Sequence, residues 1–307
     1  MTIGFHVSHE QFGPEHGIRL AVDAQQAGFD FIGSSDHLAP WTPRTGVCAG
    51  SWPWLGAAMA RTDLPFTIVT TSVNRYPAVI LAQNAATLAS LYPGRFDLTL
   101  GSGEAVNEAV VGGWRAKPDR DAQLRTTAGE IERMLTGAPA DPSRPAARHY
   151  LDPADVEVSI AAVTPATAEW VGTWHPRLTT VADTPDRTRE RVDRFRQTLG
   201  ARGHVTLKAQ LAYSETRESA LAEAHAEWRH SALQPEQLRE LPDPQAFADA
   251  AEGVGAADLE ESIPPIRSAS EFDDWLSSFA ELDADRILVH NVTPRQEQFI
   301  EVFAASR

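Results

Sequence analysis

The sequence predicts an α/β protein, specifically a (β/α)8 TIM barrel with an insertion before its last strand. The first observation is that the 307 residues alternate short β-like runs, eight in number, with longer amphipathic stretches. The second is that several of these stretches begin at proline and stop before glycine, as helices commonly do. The third is the length, since α/β barrels commonly exceed 250 residues as one domain.

The elements follow one another in a regular order. The predicted strands are 3–8, 30–35, 65–73, 95–100, 156–162, 178–182, 205–213 and 286–292. The predicted helices are 14–27, 54–61, 77–92, 121–135, 165–174, 185–199, 218–230, 271–282 and 294–304. The proline-rich stretch 231–266 breaks this rhythm. We therefore expect a single domain over 1–307 with 231–266 as an insertion of short helices, and an open doubly wound sheet is the main alternative.

Composition limits the class of partner. The chain has 27 basic and 42 acidic side chains, so its formal charge is 27 − 42 = −15, which argues against binding nucleic acid or anionic membrane surfaces. Cys48 is the single cysteine, and the sequence begins without a signal-peptide pattern. We expect a cytoplasmic protein with a small-molecule substrate, no nucleic-acid partner and no membrane segment.

In a (β/α)8 barrel the active site lies at the carboxyl ends of the strands. The polar and small residues found there are Ser8, His9, Asp36, His37, Trp41, Thr71, Ser72, Val73, Gly101, Ser102, Gly103, Glu104, Asn107, Ala162, Val163, Thr164, Thr180 and His290. A histidine and a glutamate from neighbouring strands, such as His37 and Glu104, could exchange protons with a substrate. Trp41 would add a flat aromatic surface beside them.

Other kinds of site are less well supported. A metal cluster is disfavoured because His6 and His9 are three apart, whereas residues on one face of a strand are two apart. The segment 101–106 resembles the start of a dinucleotide loop but has Val106 where the third glycine belongs. Thr164 before Pro165 could open a helix whose N–H groups bind a phosphate, or could simply cap that helix itself.

Three motifs together resemble a known family. They are SDHLAPW at 35–41, LYPGR at 91–95 and GSGEAVNE at 101–108, and they are similar to the bacterial luciferase-like flavin and deazaflavin oxidoreductases, in particular the branch of the deazaflavin-dependent sugar-phosphate dehydrogenase. Within that branch, HVSHEQF at 6–12 and LVHNV at 288–292 resemble a subgroup thought to use FMN.

The resemblance implies roles for these residues. His37 would be the base for a substrate hydroxyl, Glu104 the proton donor and Trp41 the lining of the reacting face. The cofactor would be held by Asp36, Thr71, Ser72, Val73, Gly101, Ser102, Gly103, Asn107, Ala162, Val163 and Thr164. The substrate pocket would include Ser8, His9, Thr180 and His290. The family also places a strained cis peptide near residues 71–73 and assembles as a homodimer.

The expected function is a flavin-type oxidoreductase or monooxygenase that transfers hydride or activates oxygen on a small organic substrate. FMN is the expected cofactor, with the deazaflavin F420 as the alternative, and its ring is expected between His37 and Glu104. Glucose 6-phosphate is not expected as substrate. Lys117 and Lys208 are the only lysines, and Asp249 occupies the stretch that the resemblance matches to the substrate-phosphate lysines of the sugar-phosphate dehydrogenase. A non-catalytic flavin-binding protein and a metal-dependent barrel hydrolase remain the alternatives.

Overall fold

Eight parallel strands close into a barrel in the computed structural model, which describes residues 1–307. The sheet runs in the order β6, β5, β4, β3, β2, β1, β9, β7, and pairing of β6 with β7 closes it. The strands are β1 (Thr2–Val7), β2 (Phe31–Ser35), β3 (Phe66–Thr71), β4 (Phe96–Gly101), β5 (Val158–Ala161), β6 (Arg177–Ala182), β7 (His204–Tyr213) and β9 (Arg286–Asn291). The predicted TIM barrel is confirmed, and the open-sheet alternative is wrong.

Helices follow the strands and surround the barrel. They are α1 (Pro14–Ala27), α2 (Ser51–Met59), α3 (Ala78–Leu91), α4 (Ala105–Glu108), α5 (Lys117–Leu135), α6 (Pro165–Gly172), α7 (Pro185–Leu199), α8 (Arg217–Trp228), α11 (Ala269–Ser277) and α12 (Gln296–Ala305). The bounds of α1 and α7 match the prediction because each has proline in its first turn and ends at a left-handed glycine.

The stretch 231–266 contains short elements. They are α9 (Pro235–Glu240), α10 (Pro244–Ala250), a 3-10 turn at Ala256–Leu259 and a ninth strand, β8 (Pro265–Ile266). The strand β8 pairs with Ala212 and Tyr213 at the end of β7. Leu259 and Ile263 join Trp228 and Val292 in a small hydrophobic cluster beside the mouth of the barrel. The description of this stretch as an insertion stays a prediction.

The main core lies between the barrel and its helices. Alternate residues of each strand point outward, so Ile68, Leu98 and Leu207 are fully buried against the helix layer. The lower lumen is filled as well. Leu288 packs so closely on Gly33 that a Cβ there would come within 2.4 Å of its side chain. The filled lower lumen leaves the carboxyl end of the barrel as the place for a site.

None of the helices combines the length and the apolar character that crossing a bilayer requires.

Candidate active site

A cavity opens at the carboxyl end of the barrel. The residues that alternation directs into the upper lumen are only partly buried, although they lie at the centre of the protein: Val69, Gly101, Ala161, Val181, Lys208 and Gln210. Their neighbours Ile68, Leu100 and Ile160 are fully buried. The difference indicates accessible space inside the mouth, surrounded by β3 to β7.

His37 lies at this mouth in contact with two carboxylates. Its Nε2 is 3.4 Å from Oε1 of Glu10 and 3.9 Å from Oε2 of Glu104. Glu10 follows β1 and is almost completely buried, and its Oε2 accepts a hydrogen bond of 2.8 Å from the Ser8 hydroxyl. Glu104 follows β4, and 32% of its side chain is exposed to the cavity. The barrel thus brings together groups from three strand ends.

Asn107 fixes which nitrogen of His37 carries the proton. The Asn107 Oδ1 accepts from the backbone N–H of Leu38 at 2.9 Å and of Ala39 at 3.4 Å. Its Nδ2 therefore faces His37 Nδ1 at 3.2 Å and also Glu104 Oε2 at 3.2 Å. Because an amide N–H can only donate, Nδ1 accepts, and the neutral imidazole bears its proton on Nε2. His37 therefore presents a donor to the cavity.

The two carboxylates differ in acidity. Burial alone would raise the pKa of Glu10, but the neighbouring His37 and Lys208 outweigh burial and hold the pKa below its usual range. Burial raises the pKa of Glu104, and His37 opposes that rise only in part. Glu10 is therefore the carboxylate that stays ionised, and Glu104 is the one that retains a proton more readily.

Aromatic rings form one wall of the mouth. Trp41 lies 4.7 Å from the His37 ring between centroids and stacks on His230 at 5.0 Å with an interplanar angle of 18°. Phe247 of α10 meets the edge of Trp41 at 5.2 Å. The stretch 231–266 therefore holds the indole of Trp41 beside the reacting groups.

Buried imidazoles line the side of the cavity below this wall. The rings of His6 and His290 are 4.6 Å apart, and His290 Nε2 is 3.2 Å from the side-chain oxygen of Gln11. Burial lowers the pKa of His6 and of His290 well below the usual value, and lowers that of His230 to about 3. The lowered pKa values favour the neutral form of these rings. No three His, Cys, Asp or Glu groups are arranged as a metal-ligand set.

Arg75 anchors the short helix that carries Asn107. Its Nε donates to Glu108 Oε1 at 2.7 Å, and its Nη2 donates to the carbonyl of Asp36 at 2.6 Å. Asp36 also accepts from the Thr70 hydroxyl at 2.7 Å. The carboxylate of Asp36 is thus engaged behind the mouth, where it supports the loop after β2. A direct contact of Asp36 with the cofactor stays a prediction.

The loop after β4 is shaped by Gly103. Its φ is +78°, and a Cβ there would lie 2.9 Å from Glu108 Cγ and 3.1 Å from Thr71 Oγ1. Gly101 and Ser102 precede it and are partly accessible. The segment Thr71, Ser72 and Val73 borders this loop, but every peptide bond in the chain is trans. The cis peptide that the resemblance implied there is therefore absent from this structure, in keeping with its cost in a non-proline bond.

Thr164 caps the helix that follows β5. Its hydroxyl accepts from the N–H of Thr167 at 3.2 Å, so the ordinary capping alternative is realised at this helix start. Ala162 is buried, whereas Val163 is 41% exposed at the rim. The predicted contact of residues 162–164 with a cofactor stays a prediction.

The four residues predicted for the substrate pocket lie at different depths. Ser8 is bound to Glu10, and Thr180 is buried with no partner for its hydroxyl. His290 lies beside His6 among the buried imidazoles at the side of the cavity. His9 is 1% exposed and packs edge-to-face on Trp54 of α2 at 4.6 Å, which directs it toward the helix layer. The structure thus brings Ser8 and His290 to the cavity. It leaves His9 and Thr180 behind it, because Thr180 is in register with Leu207, which faces the helix layer.

The expected position of the ring requires a correction. A ring sandwiched between two side chains needs roughly 7 Å, because each face requires a contact of about 3.5 Å. The distance of 3.9 Å between His37 Nε2 and Glu104 Oε2 leaves no such gap. Both groups would therefore have to approach a ring or a substrate from the same side.

Comparison with known proteins identifies the family. The sequence profile described as luciferase-like monooxygenase matches residues 1–288. The chain belongs to this family. The motifs 35–41, 91–95 and 101–108 all fall within the matched region.

The chain is similar in sequence to several named proteins. An F420-dependent glucose-6-phosphate dehydrogenase of Rhodococcus erythropolis is 27% identical over 336 residues, covering 99% of this chain and 95% of that protein. One of Nakamurella multipartita is 42% identical over 141 residues, covering 45% of this chain. That second match spans only 41% of the relative's length.

Several solved structures share the fold of this chain. An F420-dependent secondary alcohol dehydrogenase in complex with an F420–acetone adduct superposes with a TM-score of 0.89 at 23% identity, covering 100% of this chain and 98% of that one. The coenzyme F420 dependent tetrahydromethanopterin reductase of Methanopyrus kandleri has a TM-score of 0.77 at 14% identity, covering 99% and 97%. At these identities the likeness extends to the fold alone.

Several residues of this luciferase-like site were missed by sequence reasoning. Glu10, Lys208 and His230 face the cavity, and Arg75 with Glu108 supports it. Glu10 could have been found, because it follows Ser8 and His9 at the end of the first strand. Lys208 stands in the interior of the seventh strand, where a charged residue is unexpected, and that was also a usable signal. The position of His230 depends on tertiary contacts.

Proposed function

We propose that the chain is a deazaflavin-dependent oxidoreductase that transfers a hydride between F420 and the carbon of a small alcohol or carbonyl compound. The observation that carries the proposal is the pair of carboxylates, Glu10 and Glu104, on the same imidazole with pKa values shifted in opposite directions. Such a pair is typical of acid–base sites. The F420-dependent relatives support the cofactor class.

The residues of one half of the mouth suit a flat, uncharged ring. The lumen-facing residues of β3 to β6 are small or apolar, namely Val69, Gly101, Ala161 and Val181. The hydroxyl of Ser72, next to β3, is buried without a hydrogen-bond partner, so it could bind a polar atom of a ligand. Gly103 has no side chain, so the loop after β4 leaves room for a ligand at that position. When bound, the deazaflavin would supply the hydride chemistry.

The ionisable groups occupy the other half. In carbonyl reduction, the Nε2–H of His37 would donate a hydrogen bond to the substrate oxygen, and the Glu104 carboxyl would give it a proton. In alcohol oxidation, the Glu104 carboxylate would take the hydroxyl proton. Glu10 stays ionised, and its Oε1, 3.4 Å from the same Nε2, would share that N–H with the substrate oxygen. This assignment differs from the base role that the resemblance implied for His37, because Asn107 occupies Nδ1.

FMN, our first expectation, is not supported by the F420-dependent relatives, and oxygen activation is not part of this proposal. We also propose that the substrate is not glucose 6-phosphate, despite the names of the relatives. The chain has only two lysines, and one of them, Lys117, pairs with Asp121 outside the barrel mouth. The homodimer and the cytoplasmic location stay predictions.

Titration of the purified protein with F420 and, in parallel, with FMN tests the cofactor proposal. We expect quenching of F420 fluorescence that saturates at one equivalent per chain, with much weaker binding of FMN. Failure to bind F420, or tighter binding of FMN, would overturn it. The variant Arg202→Met, altered far from the mouth, serves as a control that should bind like the unaltered protein.

A further inference from the structure

Lys208 is a cation at the centre of the barrel without a countercharge in contact. It belongs to β7, is partly buried, and its Nζ has one hydrogen-bond partner, the Ser35 hydroxyl at 3.4 Å. No carboxylate oxygen lies within 4.0 Å of this ammonium. A lysine has three N–H donors, so at least two of them have no hydrogen-bond partner within the protein.

Three arginines whose side chains are less than a tenth exposed are each paired with carboxylates. Arg75 contacts Glu108 and Asp36, Arg120 contacts Glu240, and Arg191 contacts Asp183. Buried charges are normally paired because desolvation without a partner is costly. Lys208 departs from this pattern at the mouth of the barrel. An unpaired ammonium in a cavity is the arrangement that a bound anion would complete.

We propose that Lys208 binds a carboxylate of the substrate, so that the substrate class is a small hydroxy acid or the corresponding oxo acid. This inference rests on the proposed function, which supplies the alcohol or carbonyl carbon. The polar half of the mouth, with Gln210 and His290 next to Lys208, is where such a group would fit. Gln210 Nε2 is already 3.5 Å from His290 Nδ1 and is partly accessible.

The negative charge of the whole chain does not oppose this assignment. That charge is spread over the surface, and salt screens exposed charges beyond about 8 Å at physiological ionic strength. Inside the mouth, the nearest charged groups determine the electrostatic balance. Glu10 is ionised, Glu104 has its pKa raised by burial, and Lys208 supplies the positive charge. Burial lowers the pKa of Lys208, and the nearby Glu10 and Glu104 oppose that lowering only in part.

The test compares matched acids and amides as binding probes. Lactate, glycolate and mandelate, each with its amide, are titrated into the cofactor-free protein and followed by ligand-observed NMR. For at least one pair we expect the acid to bind about tenfold to a hundredfold more tightly than the amide. This preference should fall below twofold in Lys208→Met and persist in Lys208→Arg, which keeps the charge.

Lys117→Met is the matched control, because it removes the only other lysine and should keep the preference. If Lys208→Met fails to fold, judged by circular dichroism, Lys208→Gln takes its place. The proposal is overturned if no acid is preferred over its amide, if the preference survives loss of Lys208, or if the variants weaken only F420 binding. The F420 titration is a separate measurement, so failure of the proposed function would be seen independently.

Discussion

Replacing Arg75 with methionine should destabilise the protein and loosen the active-site loop. The change removes the guanidinium contacts to Glu108 and to Asp36. Glu108 would keep only the backbone N–H of residue 75, at 2.8 Å, and Asp36 only the Thr70 hydroxyl. Breaking a buried ion pair costs about 3–5 kcal/mol, and the two remaining donors place this case near 3 kcal/mol.

The assay is chemical and thermal unfolding at neutral pH. A loss of about 3 kcal/mol corresponds to a lower melting temperature by roughly 5 °C in a chain of this size. The loss should shrink as the pH falls. Burial already raises the pKa of Glu108, and without Arg75 it would rise further, so the native variant would bind a proton that the unfolded chain does not. Protonation then relieves the unpaired charge.

Arg202→Met is the matched control, because Arg202 also contacts two carboxylates, Asp283 and Asp285, but at the surface. Exposed pairs contribute little, so its melting temperature should hardly change. Equal losses in Arg75→Met and Arg202→Met, or a loss in Arg75→Met that grows toward acid pH, would refute the reasoning.

Three further changes test the site itself. Glu104→Gln should lower kcat for carbonyl reduction by about 10²–10⁴-fold. The unaltered enzyme should lose rate as the pH rises through the raised pKa of Glu104. If the pH–rate profile of the variant kept this decline, the role of Glu104 would be contradicted. Gly103→Ala should cost about 1–2 kcal/mol for its left-handed backbone plus a clash, so urea unfolding should show a larger loss than in Gly200→Ala, which has a φ of +68° but open space. Trp41→Leu should remove about 1 kcal/mol of ring packing and reduce kcat/KM several-fold in steady-state assays, and unchanged kinetics would exclude the indole from the reacting face.

The barrel itself could be predicted from the sequence because its signals are local. Proline in the first turn and glycine at the end marked α1 and α7 at both bounds. The strand β8 was missed because it has only two residues and begins with Pro265, which cannot donate to a sheet. Its pairing depends on where the preceding stretch folds back on β7, and that is a tertiary property.

Part of the candidate site could be predicted from the sequence, but its protonation could not. His37, Trp41 and Glu104 do meet at the mouth, since strand ends converge in a barrel. The tautomer of His37 depends on the direction of the Asn107 amide, which two backbone N–H groups fix in space. The opposite pKa shifts of Glu10 and Glu104 arise from burial and from neighbours distant in sequence. Spacing along the chain carries neither kind of information.

The central claim is best tested by a crystal structure of the protein with F420 bound. The account predicts the deazaflavin ring against the small residues of β3 to β6, with the side chains of His37 and Glu104 both on one face of it. A ring bound outside the mouth, or lying between those two side chains, would contradict the account.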